Sequence, residues 1–449
     1  MRTAPRSSIP SIYAGLMLPL LGTMGAAAAE TSTAPVLTAQ ASSSTVQAPA
    51  PPKETLPAPT PATTNPGATA PLWFSSIKLS AQAEGGIVLN PQRPRDANNF
   101  GQLFTDKANQ FQLNQILLTA QRAIDPKETG YAVGFKVQLM YGSDARYIHF
   151  LGELDRSIGN RYQLDVVEAN VSLHLPLLTE GGIDVKAGQY PSPLGSETID
   201  PSTNPFYSHS YIFNFGVPFK HTGVLTTTHV NPVFDLYLGI DSGVNTSLGA
   251  GDNNGAAAGI GGFGLNLLGG KVTVLALTHL GPENASRAVP NADSYLRYLN
   301  DVVVTYKPND TWSFTTEANY IRDDYARAEG YGVAQYASYA LSNQVTLNGR
   351  AEIWRDNSNF FVAAFPGNLD YVDSERGFPA AVIGAPRPTT YSEFTAGLTY
   401  KPSLPGVPLS TLMIRPELRY DRALNGSRPF NSGRDNGAFT VAADLVLGF

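Results

Sequence analysis

From Trp73 to the last residue, apolar side chains return at every second position, segment after segment. That period belongs to a strand with two unlike faces rather than to a helix. In "YAVGFKVQLMY", Tyr131, Val133, Phe135, Val137, Leu139 and Tyr141 share one face; Ala132, Gly134, Lys136, Gln138 and Met140 share the other. "VEANVSLHL" sets Val167, Ala169, Val171, Leu173 and Leu175 against Glu168, Asn170, Ser172 and His174. "TLMIRPELRYD" puts three full charges, Arg415, Glu417 and Arg419, in succession on its polar face.

The links between these segments alternate as well. Short, turn-like links lie at 125–130, 179–182, 231–232, 269–270, 307–310, 342–343 and 401–406. Longer polar stretches lie near 90–110, 142–160, 191–217, 247–256, 281–293, 322–330, 357–390 and 422–435. Seven short and eight long links separate sixteen strands. An even strand count with short turns at one end and long loops at the other predicts an all-β fold, a transmembrane antiparallel β-barrel of the outer membrane. A β-sandwich has no reason to alternate its links, and a β-helix would show a short repeat that this sequence lacks.

The polar faces decide what the barrel encloses. By parity they carry Lys78, Glu84, Lys136, Glu168, Asp184, Lys186, Asp235, Asp241, Glu317, Arg350, Glu352, Glu393, Arg415, Glu417, Arg419 and Asp444, six bases and ten acids. A single Arg or Lys facing lipid at mid-membrane costs ~2–4 kcal/mol. These residues are therefore expected to line a wet lumen, where hydrated charges set selectivity. The acidic excess predicts a mild cation preference, and Glu417 is expected to lessen repulsion between its two arginines. The 191–217 stretch is the third long loop. It is predicted to fold inward as a constriction, with Glu197 and Asp200 facing basic wall residues. Pro416 lacks an N–H, so a bulge or a missing ladder bond is expected there.

Composition narrows the function. Lys and Arg number 31, Asp and Glu 37, for a net charge of −6, which gives no support to a nucleic-acid partner. Cysteine is absent, so thiolate metal sites and cysteine nucleophiles are excluded. The six histidines form no His-x-x-x-His or His-Glu-x-x-His pattern, and neither metal nor cofactor is expected. "GIGGFG" (259–264) matches a dinucleotide fingerprint in letters only, because the segment is strand-like and closes in a Gly-Gly turn. The run "YSHSY" offers Ser208, His209 and Ser210 near Asn204, the raw material for a barrel-borne hydrolase, but with no evident orienting partner. A structural or adhesive barrel with a closed lumen is the other alternative; the leading expectation is no enzyme.

The first 29 residues read as a signal peptide: Arg2 and Arg6, an apolar core at 12–25, and a cleavage site after Ala29. Residues 30–72 are rich in Pro, Ala and Thr and read as a disordered spacer, leaving 73–449 as the barrel. The chain ends "AFTVAADLVLGF", an amphipathic strand closing on Phe449, which resembles the signal read by the outer-membrane assembly machinery.

From about Trp73 to Phe449 the chain resembles the OmpL-like β-barrel porin-2 family. The resemblance is carried by "GQYPSPLGSETIDPSTNPFYSHSYIFNFGVPFKHTGV" (188–224) and by "RPELRYD" (415–421) with the terminal strand. It implies a passive diffusion pore for small hydrophilic solutes, seated in outer-membrane lipid, and supplies no catalytic residues. Porins of this size are often trimers, so a homotrimer is expected.

Overall fold

The computed structural model describes residues 73–449 apart from Pro126; the expected signal peptide and spacer lie outside the described residues. Sixteen strands close into one antiparallel barrel. They are β1 (Lys78–Leu89), β2 (Gln110–Arg122), β3 (Ala132–Gly142), β4 (Gln163–Leu175), β5 (Ile183–Pro191), β6 (Lys220–Asn231), β7 (Phe234–Asp241), β8 (Ala258–Leu267), β9 (Val272–Pro282), β10 (Leu296–Tyr306), β11 (Trp312–Asp323), β12 (Ala328–Ala340), β13 (Val345–Asp356), β16 (Thr389–Tyr400), β17 (Thr411–Ala423) and β18 (Gly437–Gly448). The two remaining strands, β14 (Ala363–Ala364) and β15 (Ile383–Gly384), pair with each other inside the loop between β13 and β16.

Each barrel strand pairs with its neighbours in sequence, and β1 pairs with β18 to remove the last open edge. The Phe449 N–H donates to the Ala81 carbonyl at 2.8 Å, carrying that seam through the final residue. Closure satisfies every strand without an edge, which a bilayer requires of a spanning sheet. The outward face is apolar and bare: Leu79, Leu118, Ile353, Phe394 and Leu418 are all exposed.

Among the local departures from simple alternation, three bear on the sequence expectations. The link after β11 is only four residues, 324–327, rather than long. Asp323 Oδ1 accepts the Ala326 N–H at 2.8 Å, and Arg327 adopts the left-handed region at φ 52°, which together close a tight hairpin. Between β3 and β4 the register jumps from Gln138↔Glu168 to Leu139↔Val166. Val167 is the extra residue of a β-bulge, so it is buried beside Glu168 instead of facing lipid with Ala169 and Val171. At Pro416 the β17–β18 register runs through unbroken, while the β16–β17 pairing skips from Gly397↔Glu417 to Tyr400↔Ile414. The proline therefore costs ladder bonds on its β16 side and no bulge forms.

The interior is not uniformly polar. Leu117, Met140, Leu225, Ile260, Leu277, Leu299 and Ile321 point inward from the wall and are buried. Phe104, Tyr147, Phe213 and Phe219, from the loops 90–109, 143–162 and 192–219, join them in one hydrophobic cluster. Toward the short-turn end the inward side chains become small and polar, and half-buried: Thr119, Ser172, Thr227, Thr273, Thr305 and Thr346.

Candidate functional site: the inward loop and its charged wall

Residues 192–219 leave β5 and return at β6, with the Ser192 N–H donating to the Phe219 carbonyl at 2.8 Å to pinch the base. Asp200 caps a short 3-10 turn, Pro201–Thr203, by accepting the Ser202 N–H at 2.9 Å, and so turns the chain back. A wider turn, Ile212–Gly216, brings it home. Between these turns the loop lies inside the barrel on the faces of β11, β13, β16, β17 and β18.

The wall charges hold it there. Arg415 Nη1 donates to the carbonyls of Pro201 (2.7 Å) and Asn204 (2.9 Å), while Nη2 reaches Glu84 at 2.9 Å and Asp444. Glu417 accepts the N–H groups of Tyr207 (2.9 Å) and Ser208 (3.2 Å). Arg350 binds Glu393 (3.0 Å), Glu197 (2.8 Å) and the Ser208 carbonyl (2.9 Å). Glu352 accepts from Tyr211 (2.7 Å) and Ile212 (2.9 Å), and Glu317 accepts from Ser196 N (3.0 Å) and Oγ (2.6 Å). Arg419 pairs with Asp421 at 2.8 Å and donates to the His209 carbonyl at 2.6 Å. Charge-assisted bonds of this kind are the strong ones, and they let buried charges persist.

Arg350, Glu352, Glu393, Arg415, Glu417 and Arg419 are each no more than 3% exposed. The hydrated ladder expected from sequence is thus corrected: these groups point inward, but the loop covers them. Glu417 makes no ion pair with either flanking arginine; Asp444 and Glu84 take Arg415, Asp421 takes Arg419, and Glu417 caps the loop backbone. Of the two acids on the loop, Glu197 meets Arg350, whereas Asp200 accepts from Gln82 Nε2 at 2.9 Å and, among the described residues, meets no base. Burial alone would raise the Glu197 pKa, but Arg350, the His209 ring and the Tyr336 hydroxyl hold it down at about 2.

The family described as "Putative beta-barrel porin-2, OmpL-like" matches residues 76–449. The chain belongs to this family. It is an outer-membrane porin, a channel rather than an enzyme by family. No curated protein matches the sequence. Solved structures agree on the barrel. The outer membrane channel DcaP of Acinetobacter baumannii aligns with TM-score 0.51 and 13% identity over 83% of this porin and 97% of that chain. An anion-selective porin from Comamonas acidovorans gives 0.51 and 9% over 83% and 99%, and Salmonella typhi OmpF in complex with daunomycin 0.50 and 11% over 83% and 97%. At these identities the likeness is one of fold.

Other inward charges lie nearer the porin's short-turn end. Lys136 reaches Glu168 at 2.8 Å and Lys186 reaches it at 3.8 Å, and both lysine side chains remain about one-third exposed. Asp184 is half-exposed between His174 (2.7 Å) and His229 (3.2 Å). At the other end the loops interlock. Asp106 takes Arg146 (3.1 Å) and Arg161 (2.7 Å); burial opposes its charge, yet the two guanidiniums keep its pKa below the ordinary aspartate value. Arg376 binds Asp155 at 2.9 Å and Arg156 binds Asp373 at 3.0 Å, tying loop 143–162 to loop 357–388.

The hydrolase candidate comes apart at its nucleophile. His209 does gain an orienting carboxylate, Glu197, at 2.5 Å. Its ring stacks on Phe213 at 4.2 Å, while Ser208 Oγ is bonded by Arg350 and Ser210 Oγ accepts the Phe213 N–H. Among the described residues neither serine hydroxyl meets the imidazole.

Sequence reasoning missed one constellation. His221 on β6, Asp241 on β7 and His279 on β9 converge in the interior. Their spacing along the chain carries no motif; only inward parity on nearly neighbouring strands could have found them.

Proposed function

We propose that this porin passes small hydrophilic solutes and ions by passive diffusion, through a lumen that residues 192–219 narrow from within. The observation that carries the reading is the spread of that loop across five strands, bound by wall charges at one point after another. Arg350, Glu352, Glu393, Arg415, Glu417, Arg419, Glu317 and Asp444 act as loop anchors lining the constriction. Glu197 fastens the loop to the wall and Asp200 shapes its turn. Lys136, Lys186 and Glu168 line the wider, wetter half. No covalent chemistry is part of the function.

The reading includes export from a Gram-negative cytoplasm by the signal peptide 1–29, a spacer at 30–72, assembly guided by the strand ending in Phe449, and a homotrimer in the membrane. Chemical cross-linking of the detergent-extracted protein checks the last point.

Single-channel recording in planar bilayers tests the pore. The intact protein should open in small steps, and removal of residues 196–210 should enlarge them several-fold. Equal conductance in the two proteins would overturn the constriction. The interlocked long loops also favour a second reading, a lumen closed at rest; conductance seen only after the deletion would support it.

A further inference from the structure

We propose that His221, Asp241 and His279 bind one divalent first-row transition metal ion, Zn2+ by preference, inside the barrel where loops 192–219, 242–257 and 283–295 begin. All three side chains are buried, and each offers a ligand atom within 4.8 Å of the others. His279 Nε2 lies 3.0 Å from Asp241 Oδ1, and His221 Nδ1 lies 3.6 Å from Asp241 Oδ2. Zinc bonds of about 2.0–2.1 Å in a tetrahedron place neighbouring ligands roughly 3.3 Å apart. The observed separations bracket that edge.

The unpaired atoms point the same way. His221 Nδ1 and Asp241 Oδ2 have no hydrogen-bond partner although both are buried, and neither do His279 Nδ1 and Glu283 Oε1. Buried polar groups left this way are uncommon and call for an explanation, an ion among them. Meanwhile His221, Asp241 and Glu283 are fastened through their opposite atoms, and His279 Nε2 meets Asp241 Oδ1. His221 Nε2 meets Ser192 Oγ at 3.1 Å, Asp241 Oδ1 accepts the Gly243 N–H at 2.8 Å, and Glu283 Oε2 accepts the Val244 N–H at 2.8 Å. Glu283 Oε1 stands 3.6 Å from His279 Nδ1, on the side to accept its N–H while Nε2 faces the ion. A metal-bound imidazole whose other nitrogen meets an outer acceptor is the usual arrangement in protein sites. Two imidazoles and a carboxylate suit Zn2+, with Co2+ as a spectroscopic substitute.

Untagged full-length protein, folded in detergent and dialysed against a chelator, is titrated with ZnCl2 by equilibrium dialysis. One Zn2+ per chain is expected, with at least tenfold weaker binding after His221→Asn and His279→Asn together. Folding of the variant is checked by its heat-dependent gel migration. Absence of stoichiometric Zn2+ in the folded native protein overturns the proposal, as does unchanged affinity in the folded variant. Should the variant not fold, X-ray absorption of the Zn2+-loaded native protein decides: two imidazoles in the coordination shell support the site, and fewer overturn it.

Discussion

Arg350 Nη1 on β13 lies 2.8 Å from Glu197 Oε1 on the inward loop, and both side chains are buried. Arg350 also holds Glu393 at 3.0 Å, so one guanidinium neutralises two carboxylates. This makes the two ends of the bond unequal to mutation. Glu197→Gln leaves Arg350 paired with Glu393 and keeps an amide oxygen as acceptor. Arg350→Ala leaves buried Glu393 without its ion-pair partner and takes one partner from Glu197, which keeps His209 and Tyr336, a class of change that costs about 3–5 kcal/mol. We expect the Arg350 variant to unfold in detergent well below the native temperature and the Glu197 variant to shift only slightly. Equal shifts in thermal melts would show that Glu393 does not share the arginine.

The same bond sets an acid limit. Glu197 is held at about 2, against 4.5 for an unperturbed glutamate. A lowered folded pKa contributes stability that is fully present above the unfolded value and is lost as pH falls through the folded one. Loop anchoring is therefore expected to be constant down to about pH 4.5 and to weaken between there and about pH 2. Conductance recorded across that range should rise or grow noisy only in the acid window, and Glu197→Gln should remove this contribution to the dependence.

Glu352 and Glu417 each accept two successive backbone N–H groups of the loop, Tyr211–Ile212 and Tyr207–Ser208. Alanine at either position leaves buried donors unmet, at about 1–3 kcal/mol for each group. Each alanine variant should loosen its own segment of the loop and increase open-channel noise, and glutamine, which retains an acceptor, should do so less. Hydrogen exchange at 207–212 provides the second readout: protection must fall in the alanine variants.

Gly397 pairs with Glu417, beside Pro416, where the β16–β17 ladder is interrupted. A Cβ at 397 would lie 2.7 Å from the Pro416 carbonyl oxygen, whereas one at Gly349 on β13 would meet nothing within 4 Å. Overpacking of this kind costs about 1–3 kcal/mol. Gly397→Ala should lower the temperature at which the folded band disappears on gels, and Gly349→Ala should not.

The sequence made the barrel plain because each strand repeats a two-residue pattern and lipid forbids exceptions on the outer face. Link lengths supplied the strand count for the same reason: turns can be short only where antiparallel neighbours meet. The interior was harder to read. Val167 moved inward because a bulge adds one residue, and parity carries no mark of that insertion. The burial of Arg415, Glu417 and Arg419 was hidden because their partners, Pro201 to His209, lie some two hundred positions away and bind largely through backbone atoms. Glu197 was legible as a charge on the third long loop, but its particular partners, Arg350 and His209, were not.

Ion selectivity follows from which charges stay accessible, not from how many point inward. Of the six bases and ten acids read from parity, three bases (Arg350, Arg415 and Arg419) and eight acids (Glu84, Glu168, Asp241, Glu317, Glu352, Glu393, Glu417 and Asp444) are buried. Buried, paired charges are compensated locally and project little field into the channel. The inward groups left at least partly exposed are Lys78, Lys136, Lys186, Asp184 and Asp235. That set is nearly balanced and leans basic, which argues against the cation preference that the simple count suggests. We expect a reversal potential near zero in a tenfold KCl gradient. Charge reversal at Lys136 and Lys186 together should move it clearly toward cations, since their ammonium groups stand in the half-exposed interior beside Glu168. Strong cation selectivity in the unmodified protein, or no response to the double reversal, would place the deciding charges elsewhere.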